Sequence, residues 1–421
     1  MNEVAQESTY PLTFRDQDTK TLADHIALRH SVELVGMKRV GISNFLRFFL
    51  ENKEVYRNYI PPEHIFITVD LNDLVERELY AFWILTFKRI NDTIQNTNIK
   101  NSIKEQITDL FTSSIQSQDL FLAIENIRSA ITTITNTGLV PTLFLLRFDR
   151  MQNASTPQFL SNLQGLIDAS GYKLSYVFTS ARPLDQIAPT SFPRASLSTF
   201  SHIMYLKPAK KEDILTILSS LKKRYNIMLS KEIEKELLTL TGGHVQYLHL
   251  SMIILNENKR KDLNISQITE LISKDERIIL QSEEIWDSLT SDEKNSLIKA
   301  LNNNPPPQKS KYLHYTGILS KNNNPFNPLF EEFVKKMTGQ EGVIELTKKE
   351  HLLFTLLNEN LEEVCDRDTI IHAVWPEYEE EGVTDWTIDR LISRLRAKLK
   401  LQNSDLRIIT IKTRGYKLSK S

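Results

Sequence analysis

Short apolar runs alternate with amphipathic stretches along the first half of the chain. The amphipathic stretches Ser43–Asn52 and Leu120–Thr135 have the helical spacing of apolar residues. Because strands separated by helices form parallel sheets, residues 1–208 are predicted to be an α/β domain. The runs that predict its strands are His30–Val35, Ile65–Val69, Leu139–Leu146 and Leu174–Thr179.

The hydrophobic pattern changes after this domain. Residues 209–280 have helical periods, many charges and few β-branched runs, which predicts a helical lid subdomain. Residues 281–338 contain a capped helix at Ser291–Leu301, followed by the Asn- and Pro-rich loop Asn302–Lys311, which cannot be helical. The linker Gly339–Gly342 leads to a last predicted domain at residues 343–421.

Composition limits the classes of function. The chain has 421 residues, of which 40% are hydrophobic and 25% charged, as in soluble globular proteins. Its net charge of −1 provides no general attraction to nucleic acid, so DNA binding would need a local basic patch. The single cysteine, Cys365, excludes a disulfide framework. The polar segment Met1–Asp18 does not resemble a signal peptide, and the longest apolar runs are far shorter than the ~18 residues of a membrane span. A cytoplasmic protein without a membrane partner is expected.

Charge is distributed unevenly near the carboxyl end. Eleven acidic residues and one basic residue lie between Glu359 and Asp389, whereas ten basic residues and one acidic residue lie between Arg390 and Ser421. The near-neutral total therefore conceals a strongly positive end.

This positive end predicts a helix and a hairpin. In Asp385–Lys400, five apolar residues share one stripe, and Arg390 and Arg394 lie on the opposite side, where they could read guanine in a major groove. The alternating segment Arg407–Leu418 predicts a hairpin whose tip is Lys412–Gly415. The stripe consists of Ile388, Leu391, Ile392, Leu395 and Leu399. The predicted DNA-binding residues are Trp386, Thr387, Arg390, Ser393, Arg394, Arg396, Lys398, Thr410, Lys412, Arg414 and Tyr416.

Several motifs in this end resemble the winged-helix effector domain of OmpR/PhoB-class response regulators. The resemblance covers residues 343–419 and implies that the helix around Arg394 is the recognition helix and the hairpin around Lys412 the wing. It also implies RNA polymerase as a partner of the acidic loop Pro376–Val383. Ser393 replaces a residue that is commonly basic in this family. The motifs are Leu346–Glu350, Ala373–Trp375, Thr387–Asp389, Ile392–Arg396 with Leu399, and Gly415–Tyr416. The alternative is that the Arg/Lys face is an ordinary solvated surface.

A strand, a glycine-bounded loop and a helix at residues 30–47 have the shape of a phosphate-binding loop. In such loops backbone amides hold phosphates, a lysine neutralises them and a hydroxyl binds Mg²⁺. Ile42 occupies the lysine position here, whereas Ser43 keeps the hydroxyl. The predicted nucleotide-binding residues are Gly36, Lys38, Gly41 and Ser43.

The wider pattern resembles STAND-class, AAA-like ATPases, including archaeal-type ATPases, over residues 15–280. The motifs are Leu143–Met151, Tyr176–Pro183 and Thr241–Leu248. The resemblance implies a P-loop NTPase-like parallel sheet with a helical lid, followed by two winged-helix domains, the first at residues 281–338. Leu146 and Arg147 then replace the family's aspartate and glutamate, although a shifted alignment keeps Asp149. Arg182 and His244 match former sensor positions, whose roles are expected to be structural.

The missing lysine, aspartate and glutamate would remove the main electrostatic stabilisers of phosphoryl transfer. We therefore expect no enzymatic activity, no catalytic residues, no metal site and no required cofactor, with ATP or ADP binding left open. The leading hypothesis is a DNA-binding transcriptional regulator with a degenerate ATPase-like sensor or scaffold. The alternatives are a nucleotide-binding STAND-type switch and a protein–protein adaptor that uses its winged helices. Homo-oligomerisation is left open.

Overall fold

The computed structural model describes residues 6–258, 264–302, 311–338, 346, 348–375, 385–401, 405–411 and 414–420. The chain forms two compact units. The first is Met1–Ala300 with Pro305–Leu329, and the second is Leu301–Asn304 with Phe330–Ser421. The predicted boundaries at residues 208, 280 and 338 stay a prediction. Among the described residues, no helix combines the length and apolar character that a membrane crossing needs.

A five-stranded parallel sheet forms the centre of the first unit, in the order β2-β3-β4-β1-β5. Its strands are β1 (Ser31–Val35), β2 (His64–Asp70), β3 (Val140–Leu146), β4 (Ser175–Ser180) and β5 (Ser201–Tyr205). The four predicted strands are confirmed to within one residue at each end. The sequence did not predict β5, a short edge strand with an exposed centre where Ile203 is 47% exposed.

Strands β1 and β4 are buried along their whole length, which indicates that helices cover both faces of this sheet. One apolar cluster contains Phe82, Trp83, Phe148 and Phe159. The helices are α1 (Asp16–Ala27), α2 (Ile42–Glu51), α3 (Lys53–Tyr56), α4 (Leu79–Gln95), α5 (Asn101–Ser117), α6 (Leu120–Asn136), α7 (Pro157–Ala169), α8 (Leu184–Ile187) and α9 (Arg194–Phe200), with 3₁₀ turns at Gln6–Thr9, Leu71–Asp73 and Phe148–Met151.

The helical character predicted for residues 209–280 is confirmed for the described residues of this range, 209–258 and 264–280. These helices are α10 (Lys211–Tyr225), α11 (Lys231–Thr241), α12 (Val245–Glu257), α13 (Ile265–Lys274) and α14 (Glu276–Asp287). The next segment contains α15 (Ser291–Leu301), α16 (Lys311–Tyr315) and α17 (Pro328–Met337). A single antiparallel bridge between Leu319 and Pro325 lies in the same segment. The first unit thus has the P-loop NTPase-like α/β fold, a parallel sheet accompanied by helices.

The second unit has winged-helix architecture. Its elements are α18 (Lys348–Glu359), β6 (Val364–Cys365), α19 (Arg367–Val374), α20 (Asp385–Leu401), β7 (Leu406–Ile411) and β8 (Gly415–Lys420). The three strands form an antiparallel sheet in the order β6-β8-β7. The linker at residues 339–342 and the acidic loop at 376–383 lie outside the described residues.

Candidate nucleic-acid interface and phosphate loop

Helix α20 is held in the second unit by its apolar stripe. The five predicted stripe residues are confirmed as buried, since none is more than 4% exposed. They pack with Leu353 and Leu357 of α18, Ile370 of α19 and Leu418 of β8. The helical spacing of apolar residues was enough to predict which side of α20 is buried, because that spacing marks the face that packs against the core.

The opposite face of α20 is less open than the sequence suggests. Ser393 is exposed and Arg390 is half-buried. The Arg394 side chain is only 14% exposed, and its Nε lies 4.0 Å from Oε1 of the fully buried Glu350. Arg390 and Ser393 are therefore the more accessible part of this face. Trp386 and Thr387 belong to α20, but their side chains lie outside the described set.

Lys398 was predicted to contact DNA, and the structure instead places it inside the module. Its side chain is 6% exposed, and its Nζ lies 2.6 Å from Oε2 of Glu350. A buried ammonium paired with a buried carboxylate cannot reach a phosphate without breaking that pair. Lys398 therefore fixes α20 to α18. Glu350, the last residue of the Leu346–Glu350 motif, is the residue that organises this contact.

Arg396 and Thr410 connect α20 to the hairpin. The Arg396 Nε donates to the carbonyl oxygen of Ile408 at 2.8 Å, and its Nη2 donates to Oγ1 of Thr410 at 2.8 Å. These bonds occupy two donor groups of the guanidinium. Both residues were predicted to contact DNA, and here they set the position of the hairpin relative to the helix.

Tyr416 was also predicted to contact DNA, but its ring is only 2% exposed. Its hydroxyl donates to Oδ1 of Asp389, and Nη2 of Arg367 donates to the same Oδ1 at 2.8 Å. The Tyr416 hydrogen bond, followed by Arg367, lowers the pKa of Asp389. Burial raises the pKa of Tyr416 to about 12. Tyr416 is therefore a positioning residue between β8 and α20.

The hairpin is confirmed, with Thr410 opposite Tyr416 and Ile411 opposite Gly415. Gly415 has a φ of +137°, and a Cβ there would lie 2.1 Å from the Cys365 carbonyl oxygen, so this crossing requires glycine. Arg414 is exposed beside it. Lys412, the predicted centre of the wing tip, lies outside the described residues.

Apolar side chains pack into the phosphate-loop region between β1 and α2. Met37 and Val40 are each 1% exposed, and a Cβ on Gly36 would meet Val40 Cγ1 at 2.7 Å. The amide of Gly36 donates to Ser180 O at 3.3 Å, and that of Val40 to Met37 O at 3.2 Å. Two loop amides are therefore already engaged inside the protein. Ser43 is exposed at the start of α2.

Lys38 points to the end of β3. Its Nζ donates to Oδ2 of Asp149 at 3.0 Å, and both side chains are about one third exposed. The shifted alignment assigned Asp149 to a metal, but here this carboxylate pairs with the loop lysine. Arg147, which the sequence resemblance aligns with a glutamate, donates from Nη1 to Asp70 and from its backbone N–H to Thr179 Oγ1 at 2.7 Å.

His244 connects the loop to the lid helices. Its ring is fully buried, and Nδ1 accepts the amide of Tyr247 at the start of α12. The other ring nitrogen, Nε2, therefore carries the proton and donates to the Lys38 carbonyl at 3.0 Å. This bond holds the phosphate-loop backbone against α12.

The buried His244 predicts a pH dependence of stability. Burial lowers its pKa to about 4, from 6.5 in an unfolded chain. The unfolded chain takes up the proton first, so stability is complete above about pH 6.5 and falls as the pH drops towards 4. At about pH 5 the loss is about 2 kcal/mol. Urea unfolding of wild type and His244→Asn at about pH 7.5 and pH 5 measures it. The wild type should lose about 2 kcal/mol more than the variant, and equal losses would contradict the assignment.

Arg182, the second predicted former sensor position, contacts the segment that follows the lid. Its Nη1 lies 2.8 Å from Oε1 of Glu293, and its guanidinium carbon lies 3.8 Å from the centre of the Tyr312 ring. It also donates to the carbonyl oxygen of Ser288. These contacts join the end of β4 to α15 and α16.

Comparison with known proteins agrees with this geometry at the carboxyl end. Residues 339–418 match the family model described as "Transcriptional regulatory protein, C terminal". The response regulator ArlR of Staphylococcus aureus is 41% identical over 81 residues, which is 19% of this chain and 36% of ArlR. The chain thus spans about a third of the length of these curated relatives.

Solved structures resemble a larger share of the chain at lower sequence identity. The Walker-type ATPase of Pyrococcus abyssi shares 15% identity and a TM-score of 0.48, covering 76% of this chain and 95% of its own. The ORC2 protein of Aeropyrum pernix shares 13% identity and a TM-score of 0.47, covering 76% and 92%. Residues 339–418 thus match the OmpR/PhoB-type C-terminal domain of transcriptional regulatory proteins, in a chain whose first unit is built on a five-stranded parallel sheet.

Proposed function

We propose that this protein is a cytoplasmic, DNA-binding transcriptional regulator in which α20 enters the major groove and the β7–β8 hairpin contacts the adjacent backbone. The observation that carries the proposal is the construction of α20. Its apolar side is anchored in the core, and Arg390 and Ser393 are presented on the other side. The major groove of DNA is wide enough to admit an α-helix, so the exposed face of α20 can approach the base edges there.

The charges of the module support the same role. The segment from Arg390 to the end has ten basic residues and one acidic residue. Lys398 and Arg396 are engaged inside the module, whereas Arg407 and Arg414 of the hairpin are exposed. Exposed cations of this kind neutralise phosphates and release counterions, which makes binding salt-dependent.

Duplex binding measured against salt concentration tests this function. Replacing Arg390→Ala together with Arg414→Ala should weaken binding by roughly 10- to 100-fold and reduce the slope of log K against log salt by about 2. Fluorescence anisotropy with a labelled duplex measures both quantities. The charge-matched control is Arg57→Ala with Lys274→Ala, two exposed cations of the first unit. Equal affinities for the three proteins, or no affinity in the wild type, would refute the proposal.

The proposal includes a first unit that acts as a sensor or scaffold without hydrolysing ATP. Lys38 is paired with Asp149, apolar side chains pack under the loop, and Arg147 introduces positive charge at the end of β3. The engaged lysine and the filled loop oppose the stabilisation of a transferred phosphoryl group, and the positive charge of Arg147 opposes the binding of Mg²⁺.

Phosphate release from ATP should therefore equal the rate in buffer, and Ser43→Ala should not change it. Calorimetry with millimolar ATP or ADP examines binding separately from turnover. A phosphate release that Ser43→Ala abolishes would show that this unit is an ATPase.

RNA polymerase is the second partner in this proposal, through the acidic segment at residues 376–383. Four of its eight residues, in the sequence PEYEEEGV, are glutamate. An acidic segment of this kind is suited to contact a basic surface of a partner protein.

A further inference from the structure

Three histidines from distant parts of the sequence meet in the first unit. The ligand nitrogens of His25, His30 and His202 all lie within 4.8 Å of one another. The rings of His25 and His202 are stacked with centroids 4.9 Å apart, and those of His30 and His202 are 4.7 Å apart. The chain has nine histidines, so a third of them converge on one place.

Each histidine is positioned by backbone structure rather than by a loose loop. His25 lies in the last turn of α1, and the amide of His30 donates to the His25 carbonyl oxygen at 2.9 Å. Arg29 between them has a φ of +60°, which reverses the chain into β1. His202 is on β5, directly opposite Val32 of β1. The spacing of the three imidazoles is therefore set by α1, β1 and β5 together.

The electrostatic setting of His25 favours its neutral form, which is the form that binds metals. Burial, followed by the neighbouring His202 and His30, lowers the pKa of His25, and the opposing effect of Asp24 is smaller. His30 Nδ1 is buried and has no hydrogen-bond partner in the part of the chain that the structure describes. A neutral imidazole nitrogen without a hydrogen-bond partner can coordinate a metal ion, whereas a protonated histidine cannot.

We propose that His25, His30 and His202 form a binding site for a divalent transition-metal ion of the zinc class. Imidazole nitrogen is a preferred ligand of Zn²⁺, at bond lengths of about 2.0–2.1 Å, which puts ligating nitrogens about 3.3 Å apart. The present separations between ligand nitrogens, up to 4.8 Å, are longer than this. Rotation of the rings about their side-chain torsions, which the exposure of His202 permits, would shorten them. Three protein ligands leave a fourth position for water.

The site lies at the opposite end of β1 from the phosphate loop. His30 immediately precedes β1 and Gly36 immediately follows it. At its other end α1 is tied to the lid, because the Arg15 amide donates to Oδ1 of Asp213 in α10 at 2.7 Å. A bound ion would therefore fasten α1 to β5 and β1. This role is independent of DNA binding by the second unit.

Zinc binding by the tag-free full-length protein tests the proposal. Calorimetry with Zn²⁺ should give one equivalent per chain, and His202→Ala should weaken the affinity by about 100-fold. The matched control is His351→Ala, an exposed histidine of the second unit, which should bind zinc as the wild type does. Absence of binding in the wild type, or equal affinity in His202→Ala and wild type, would overturn the site.

A second measurement uses the wild-type protein and so does not depend on the folding of His202→Ala. Diethyl pyrocarbonate modifies accessible imidazoles, and mass spectrometry locates the modified residues. Zinc should protect His25, His30 and His202 in the wild-type protein and leave His351 reactive. Protection that is equal at His351 and at the three clustered histidines would also overturn the proposal.

Discussion

Replacing Glu350→Ala should destabilise the second unit by about 3–5 kcal/mol. The Glu350 carboxylate is fully buried, and the Lys398 ammonium 2.6 Å away is 6% exposed. Removing the carboxylate takes a negative charge away from beside that ammonium and from near the Arg394 guanidinium. A buried charge without its counterion costs more than the pair contributes, because desolvation is no longer offset.

Hydrogen exchange in the full-length protein measures this loss. Amides of α20 and α18 should exchange roughly 100-fold faster or more, since about 1.4 kcal/mol corresponds to a factor of ten. The control is Glu331→Ala in α17, which removes the partner of Lys335 from a pair about 38% exposed and should cost less than about 1 kcal/mol. Exchange of α20 at the wild-type rate in Glu350→Ala would show that the ion pair does not hold the helix.

Replacing Arg182→Ala should loosen α15 and α16 from the sheet of the first unit by about 3 kcal/mol. The change removes the paired contact with Glu293, the donation to Ser288 O and the cation–π contact with Tyr312. It also leaves Glu293, whose side chain is 9% exposed, without its cation. Limited proteolysis and hydrogen exchange over α15 and α16 follow the change.

A surface pair provides the comparison for Arg182. Arg57→Ala removes a partner from Glu54 where both side chains are more than 60% exposed, and should change stability by less than about 1 kcal/mol. If Arg182→Ala behaves like Arg57→Ala, the contact between β4 and α15 contributes little. If it releases α15 and α16, Arg182 is a structural residue that holds these helices to the sheet.

The periodic part of the fold was predictable from the sequence. The stripe on α20 and the strands β1 to β4 follow from apolar spacing, because burial of one helix face or of a whole strand leaves that pattern. Strand β5 was missed although Ile203, Met204 and Tyr205 are apolar, because this run is short and follows the polar residues Ser201 and His202.

The site residues were less predictable, since their environments depend on partners far along the chain. Lys398 resembles any other cation of the basic end until Glu350, 48 residues earlier, is placed beside it. The three histidines at 25, 30 and 202 have no recognisable metal-ligand spacing, and only the pairing of β1 with β5 brings His202 to the other two. A buried acid does leave a signal, as with Glu33 inside an apolar run. There it accepts from Leu184 N at 2.8 Å and Ser201 Oγ at 2.6 Å.

The withdrawal of Arg394 towards Glu350 affects how this module would select its binding sites. The Arg394 side chain is 14% exposed and its neighbour on the helix is Ser393, so this face of α20 offers few arginine guanidinium groups that could bind guanine. Selection would then depend more on groove width and on how easily the duplex bends, which vary with sequence even where no base is touched. We expect the operators of such a module to share flexibility and groove shape while differing in the bases at individual positions.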